Sequence, residues 1–259
     1  MNDDSRYMAP LQLAGRLIME CGGETYRVEE TITRMGRAFG LKDVESFAVP
    51  SGVFISYRGQ DGDIRTAVKR VRRSGTDLTR VDEVNAVSRQ VEAEGLSCED
   101  AMARLEEIAR RKPLISQRVL VVAAAVSSGG WAMLFGGWGW DFACGVVVGA
   151  LVQLLAQLLS RFHMQALVST LLGSFVAALL PMAFHHLTGL GTVDVIVAGT
   201  LMPMLPGLAM TNAVQDTMRG DMVSGLSHGV SAVLTAALVA GGALMAASLF
   251  SLLTGGIAL

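Results

Sequence analysis

The second half of this chain has very few charged side chains. Between residues 119 and 259 there are two basic residues, Arg161 and Arg219, and four acidic ones, Asp141, Asp194, Asp216 and Asp221. The stretches between charged or histidine residues are each about 20 residues long, and no formal charge follows Asp221. Because a helix needs roughly 20 apolar residues to cross a bilayer, this pattern predicts five membrane-spanning helices.

Other features are also missing, and each absence excludes a class of protein. The three cysteines show no CxxC spacing, so neither a metal site nor a disulfide framework is expected. No GxxxxGK[ST] loop is present, so the chain is not expected to hydrolyse ATP. The first histidine is His163, which excludes a Ser–His or Cys–His nucleophilic pair from the N-terminal part. We therefore expect no cofactor and no enzymatic activity.

The N-terminal part is highly charged but nearly neutral overall. Residues 1–118 hold 19 of the 21 Lys and Arg residues and 19 of the 23 Asp and Glu residues. A nucleic-acid partner would favour a clustered basic excess, so none is expected. The first ten residues, MNDDSRYMAP, lack the apolar segment of a signal peptide. We therefore predict that this part of the chain stays in the cytoplasm.

Residues 1–112 are predicted to form a compact α+β domain. Helical periodicity and turn residues indicate two helices, three strands and two further helices. The helices are predicted over residues 11–19, 24–39, 82–94 and 98–110, and the strands over 44–49, 53–57 and 65–71. Ser97 with Asp100 resembles a capping box at the start of the last helix.

Residues 113–259 are predicted to form an all-α membrane domain of five transmembrane helices. Basic residues indicate its orientation, because they are enriched on the cytoplasmic side of a membrane. A basic cluster at 110–118 precedes the first span, and Arg161 and Arg219 end the second and fourth spans. With five spans, all of them fall on one side. We predict a multi-pass protein of the bacterial inner membrane, with its N-terminal domain in the cytoplasm and its C-terminus outside.

The fourth span is interrupted by Pro203 and Pro206, which Gly207 follows. Each proline removes a backbone donor and clashes with the carbonyl four residues earlier, so the helix is predicted to break there. A helix that restarts near Gly207 would point its positive N-terminal end at mid-membrane, where broken helices of transporters bind anionic groups. Polar residues at helical spacing then predict a stripe on one face: Asn212, Gln215, Asp216 and Arg219.

Polar residues in the apolar half allow both a structural and a functional interpretation. Arg219 and Asp221 suit a helix end that meets water, whereas Asn212 is deep enough to face a bundle interior or a cavity. Gln153 and Gln157 form a seam on the second span that serves either interhelical packing or a substrate path.

Four further residues are candidates for coupling or gating. Asp194 is either interfacial or part of proton coupling. His228 is either a packing residue or a proton relay, and the glycines beside it, Gly225 and Gly229, allow a close helix approach. Glu24 and Glu29 either complement the dipole of the second helix or take part in binding or gating.

Three segments together resemble the threonine/serine exporter family. PGLAMTNAVQDTMRGD resembles the family's PG…NA…D…G signature, GGETYRVEE resembles its G-x-E-[ST]-x-x-V-E segment, and VESFAVPSG resembles the segment after it. The resemblance covers nearly the whole chain. On this sequence the motif positions are Pro206, Gly207, Asn212, Ala213, Asp216 and Gly220, together with Glu24, Val28 and Glu29.

The resemblance implies a subunit of a secondary exporter for a small polar metabolite. Family members export threonine and serine, or a dicarboxylate such as succinate, and the choice stays open here. Split members work with a separate short multi-span membrane subunit, and this chain resembles the first half of an unsplit member. The resemblance therefore implies such a partner, while association with further copies of itself stays open. Because no ATP-binding loop is present, proton coupling is expected.

The candidate residues follow from this interpretation. Those for substrate binding are Pro206, Gly207, Asn212, Asp216, Gln153 and Gln157, and those for coupling or gating are Asp194, His228, Glu24 and Glu29. The alternative is a membrane-anchored enzyme or sensor whose soluble domain carries the activity. Five spans with a broken helix are more than an anchor needs, so the exporter is preferred.

Overall fold

The computed structural model describes residues 4–59, 61–72, 75–112 and 115–255 of the chain. The described chain is mostly helical, with one small antiparallel sheet. Its α-helices are α1 (Met8–Glu20), α2 (Thr25–Ala38), α3 (Leu78–Glu94), α4 (Cys98–Arg110), α5 (Gln117–Leu134), α6 (Gly139–Arg161), α7 (Ala166–Thr188), α8 (Val193–Leu201), α9 (Gly207–Met218) and α10 (Met222–Leu253). Its strands are β1 (Lys42–Val49), β2 (Gly52–Arg58) and β3 (Ile64–Arg70).

The fold divides into two compact units. The first comprises Met1–Pro113 together with Met210–Gly229, and the second comprises Leu114–Ala209 together with Val230–Leu259. Most of α9 and the first turns of α10 therefore belong to the same unit as the N-terminal helices and the sheet. The predicted boundary between residues 112 and 113 stays a prediction, because it concerns which residues lie in a membrane.

The first unit has the predicted order of two helices, three strands and two helices. Helix α4 has the predicted bounds, and Ser97 caps it by accepting the backbone N–H of Asp100 at 3.1 Å. Helix α3 begins at Leu78, four residues before the predicted start. The physical reason is that the Asp77 carboxylate accepts the backbone N–H of Arg80 and so caps the helix earlier.

The core of the first unit lies between the sheet and the helices. The strands pair antiparallel in the order β1-β2-β3, and the inward side chains of β2 are Val53, Ile55 and Tyr57, which are buried. Helix α2 presents an apolar face to the core, with Val28, Ile32 and Met35 fully buried. The apolar face of α2 fixes the rotation of that helix, and the start of α2 contributes to the candidate site.

The second unit is a helical bundle with closely approaching backbones. A Cβ placed on Gly145 of α6 would lie 3.0 Å from the Cα of Gly129 of α5. A Cβ placed on Gly199 of α8 would lie 2.6 Å from the backbone nitrogen of Ala132 of α5. Such small residues let membrane helices pack by van der Waals contact.

Several helices are long and apolar enough to cross a membrane. Four meet this description among the residues that the structure describes: α5, α6, α7 and α10. Helices α8 and α9, with a short 3-10 turn at Met202–Met204, make a fifth span if the broken pair is counted as one. The structure thus has four or five candidate spans, where the sequence predicts five.

Candidate functional site

The fourth predicted span is broken at its prolines. Helix α8 ends at Leu201, and Pro203 lies in the 3-10 turn that follows. Leu205 is extended, with φ −68° and ψ 141°, as expected for a residue before a proline. Helix α9 then begins at Gly207, so Pro206 precedes a new helix start. The first turn of a helix carries backbone N–H groups without partners in the helix and a partial positive charge.

The predicted polar stripe on α9 divides into two parts. Asn212 and Asp216 are buried, with 9% and 1% of their surfaces exposed, and they are four residues apart on one face. Gln215 and Arg219 are exposed. The buried pair, rather than the whole stripe, is therefore the part of α9 that belongs to a site.

The Asp216 carboxylate is held by one partner on each oxygen. The Thr25 hydroxyl at the start of α2 donates to Oδ1 at 2.9 Å. Nδ1 of His228 on α10 lies 2.9 Å from Oδ2. The Thr25 side chain is fully buried and that of His228 is 17% exposed. Three elements thus converge on one carboxylate that has no contact with bulk water.

A second carboxylate, Asp221, lies next to this group. Its Oδ2 is 3.2 Å from the Thr25 hydroxyl, and its Oδ1 accepts the backbone N–H of Ser224 at 3.2 Å, which caps the start of α10. The buried Ser224 hydroxyl donates to the carbonyl oxygen of Ala48 at 3.2 Å. The end of β1 and the start of α10 are therefore joined by hydrogen bonds.

Glu29 approaches the same region from α2. Its Oε1 accepts the backbone N–H of Ala48 at 2.9 Å. Burial raises the pKa of Glu29, the hydrogen bond from Ala48 opposes this rise, and the nearby carboxylates of Asp221 and Asp216 add to it. The fold therefore favours the protonated form of Glu29 more than water does.

Glu24 belongs to a neighbouring group of charged and aromatic side chains. Arg27 Nε donates to Glu24 at 2.8 Å, and the Arg219 guanidinium lies 3.5 Å from the centre of the Tyr26 ring. Burial acts to raise the pKa of Glu24, but the Arg27 hydrogen bond and the positive charges of Arg27 and Arg219 hold it below its ordinary value. Glu24 is therefore favoured as a carboxylate.

Gln153, Gln157 and Asp194 lie in the second unit. Gln157 donates to the backbone oxygen of Gln117 at 2.8 Å, which is a packing contact between α6 and α5. Gln153 is partly buried on α6, and Asp194 is exposed in the first turn of α8. The substrate-path role of the two glutamines and the coupling role of Asp194 stay predictions.

Two polar residues were missed by sequence reasoning. Thr25 occupies the [ST] position of the GGETYRVEE segment, and this position was the available signal, although the partners of Thr25 lie nearly two hundred residues away. Asp141 is buried in the second unit, where it accepts backbone N–H groups from Trp138 at 2.8 Å and Thr192 at 2.5 Å. These two hydrogen bonds connect the start of α6 to the loop before α8.

Among the described residues, no group of three His, Cys, Asp or Glu side chains is arranged to hold a metal ion. What the arrangement offers instead is a buried carboxylate with a hydroxyl and an imidazole within hydrogen-bond distance. Such a group can carry a proton or receive a cationic group. Together with several apolar helices and a broken span, this describes a multi-pass membrane protein.

The chain belongs to the family whose model is described as "Putative threonine/serine exporter", which matches residues 11–250. This confirms the resemblance given by the motifs. The family is one of exporters, so the chain is a transport protein rather than an enzyme. The apolar helices agree with this class, since transport across a bilayer requires several spans.

Curated relatives of two kinds are similar to the chain. "Probable succinate transporter subunit YjjP" of Klebsiella aerogenes is 28% identical over 91% of this chain and 90% of that protein. The protein of the same name from Escherichia coli is 26% identical over 92% of each. "Probable threonine/serine exporter" of Mycobacterium tuberculosis is 24% identical over 92% of this chain, which spans only 46% of that protein. No solved structure matches the chain.

Proposed function

We propose that this chain is one subunit of a proton-coupled secondary exporter for a small polar metabolite. The substrate is either an amino acid of the threonine/serine type or a dicarboxylate such as succinate. Membership of the exporter family supports the transport function. The names of relatives support both substrate classes. Because every one of these substrates carries a carboxylate, a site that binds a carboxylate suits them all.

A second membrane subunit would complete the transporter. The two relatives of similar length are named as subunits. The mycobacterial relative is about twice as long and is named as an exporter. We propose that the partner is a short multi-span protein of the same family. It would correspond to the part of the longer relative that this chain does not match.

The start of α9 is the proposed position of the substrate carboxylate. After the break at Pro206, helix α9 begins at Gly207 and presents the positive end of its dipole there. Asn212, one and a half turns further, is buried on the face of Asp216 and would add a neutral hydrogen bond.

The buried Asp216 carboxylate is the observation that carries the proposal. A carboxylate taken out of water is costly unless it is paired or hydrogen-bonded, and ionisable groups within membrane segments mark ion and proton paths. His228 lies within hydrogen-bond distance of one oxygen and can exchange a proton with it. We propose that Asp216 carries the coupling proton and that His228 relays it. For an amino-acid substrate, Asp216 could also bind the ammonium group.

Glu24 and Glu29 are proposed to act in gating rather than in substrate binding. Both belong to the beginning of α2, and both interact with charged groups of α9 or of the α9–α10 turn. A change of charge at Asp216 or Asp221 would therefore change the electrostatic energy of Glu29 in the N-terminal part of the chain. Asp194, exposed at the start of α8, is proposed as a separate proton-accepting group.

The test is export by cells that produce the chain with its candidate partner. Asn212→Ala and Asp216→Asn should reduce export of labelled succinate, threonine or serine while the protein still inserts into the membrane. A lost hydrogen bond to a charged group is worth about 1.5–3 kcal/mol, which corresponds to a tenfold to hundredfold loss of affinity.

Two variants serve as controls for these changes. Gln215→Ala alters an exposed neighbour on the same helix and should export normally, and Arg219→Gln should cost much less than Asp216→Asn. If Asn212→Ala and Asp216→Asn both export at the wild-type rate, the proposed site is wrong. The substrate path must then be sought at Gln153 and Gln157.

A further inference from the structure

The hydroxyl of Thr25 is hydrogen-bonded to residues outside its own helix. Thr25 is the first residue of α2, and its side chain is fully buried. The residue before it, Glu24, occupies the capping position without making a side-chain cap. The hydroxyl is directed instead at two carboxylates far along the chain, Asp216 at 2.9 Å and Asp221 at 3.2 Å.

The bond from Thr25 fixes how the Asp216 carboxylate is turned. The χ2 torsion of an aspartate is broad, so the carboxylate plane is set by its partners. Asp216 has a defined partner on each oxygen, Thr25 on Oδ1 and His228 on Oδ2. Without the Thr25 hydroxyl, the buried Oδ1 atom of Asp216 would lose its hydrogen-bond donor. The carboxylate could then turn away from His228.

The hydroxyl of Thr25 also connects the two carboxylates. A hydroxyl has one proton to donate and two lone pairs that accept. When Asp216 and Asp221 are both ionised, Thr25 can donate to only one of them at a time. When one of them is protonated, that acid can donate to the Thr25 oxygen while Thr25 donates to the other. Thr25 can therefore make both bonds only when one proton is shared by the pair.

We propose that Thr25 is a positioning residue for Asp216, which orients this carboxylate towards His228 and links its protonation to that of Asp221. The inference rests on the proposed function, because it assigns a role in the same site. The proton movement is balanced: the Asp221 O–H bond breaks as the Thr25 oxygen accepts, and the Thr25 proton passes to Asp216 Oδ1. The charged groups that face this trio are Glu29 from α2 and His228 from α10.

The test compares two substitutions of Thr25 in the full chain, produced with its candidate partner. Thr25→Val keeps the branched shape but removes the hydroxyl, and Thr25→Ser keeps the hydroxyl. Efflux of labelled succinate, threonine and serine is measured across a range of external pH. We expect Thr25→Val to reduce efflux about tenfold and to change the pH profile, and Thr25→Ser to restore most of the rate and the wild-type profile.

A matched control is available on the same helix. Thr31 is also buried, and its hydroxyl donates to Asn85 at 3.0 Å, away from the two carboxylates. Thr31→Val should therefore leave the pH profile unchanged, even if it lowers stability. If Thr25→Val does not reach the membrane, Thr25→Ala removes the hydroxyl with a smaller side chain and takes its place.

The outcomes separate this inference from the proposed function. A Thr25→Val protein with the wild-type rate and pH profile, alongside an inactive Asp216→Asn protein, overturns the role of Thr25 alone. Loss of efflux in Thr25→Ser equal to that in Thr25→Val also overturns it, because the shape and not the hydroxyl would then matter. Normal export by Asp216→Asn overturns the proposed site, and with it the inference.

Discussion

Glu29 accepts the backbone N–H of Ala48 and lies within electrostatic reach of Asp216 and Asp221. Burial is the largest cause that raises its pKa, and the two carboxylates act in the same direction. At a pH below the ordinary pKa of a glutamate side chain, Glu29 is protonated in both the folded and the unfolded protein. As the pH rises above this pKa, the unfolded protein releases the proton freely. The folded protein must either keep the proton or hold a charge that burial disfavours. Stability is therefore lost as the pH rises.

Glu29→Gln should remove this pH dependence. Glutamine cannot ionise, but its side-chain oxygen can still accept the N–H of Ala48. We expect the variant and the wild type to unfold at similar temperatures at acid pH, and the variant to be the more stable at neutral pH. Thermal unfolding of the purified chain, measured from about pH 4 to about pH 8, checks this expectation. Glu94→Gln, which changes an exposed residue, is the control. A difference between Glu29→Gln and wild type that does not vary with pH would contradict the account.

Single residues also show what the sequence could and could not predict. Asn212 and Asp216 could be chosen as site candidates because they follow the broken span at helical spacing and match motif positions. The partners of Asp216 could not be derived from periodicity, because Thr25 and Asp216 are 191 positions apart. The sequence indicates His228 only as one candidate among several, whereas in the structure it lies beside Asp216. Periodicity describes the faces of helices, whereas long-range hydrogen bonds depend on how the helices are packed.

At the scale of elements, helices α9 and α10 approach closely at Gly225. A Cβ on Gly225 would clash with Thr217 Oγ1 and would lie 3.0 Å from the Thr217 nitrogen and 3.1 Å from the Ala213 carbonyl oxygen. The first turns of α10 can therefore pack on α9 only if this position has no side chain. The same packing brings His228 to Asp216.

Gly225→Ala should consequently separate the two helices. We expect a destabilisation of about 1–3 kcal/mol from overpacking, despite the higher helix propensity of alanine. A lower melting temperature and a lower export rate would be the measured results. Gly229→Ala is the matched control, since its Cβ would meet only Ala213 Cβ at 3.8 Å, an ordinary contact. Equal melting temperatures for the two variants would show that the close approach is not needed.

Elements with strong local signals were predicted well. Helix α4 begins at a Ser–Asp cap, and the break before α9 follows from two prolines three residues apart. Periodicity predicts helix α3 four residues too short, because it does not show that Asp77 caps the helix. The association of most of α9 with the N-terminal elements was not predicted, since the sequence shows the apolar character of that span and not its contacts.

At the scale of the whole molecule, the orientation in the membrane can be tested with fusion proteins. The distribution of basic residues predicts a cytoplasmic N-terminal domain and an external C-terminus. An alkaline phosphatase fused to the C-terminus should therefore be active, because that enzyme matures only outside the cytoplasm. A fluorescent green protein fused at the same place should stay dark. An inactive phosphatase together with a fluorescent fusion would indicate an even number of spans.

The central claim is that this chain exports a small carboxylate-bearing metabolite together with a second subunit, using the proton of Asp216. The most direct measurement is efflux from vesicles that contain the chain and its partner, loaded with labelled succinate, threonine or serine, under an imposed proton gradient. The account predicts gradient-driven efflux only when both proteins are present, and loss of the gradient dependence in Asp216→Asn. Gradient-driven efflux by Asp216→Asn at the wild-type rate, or efflux by the wild-type pair that ignores the gradient, would contradict it.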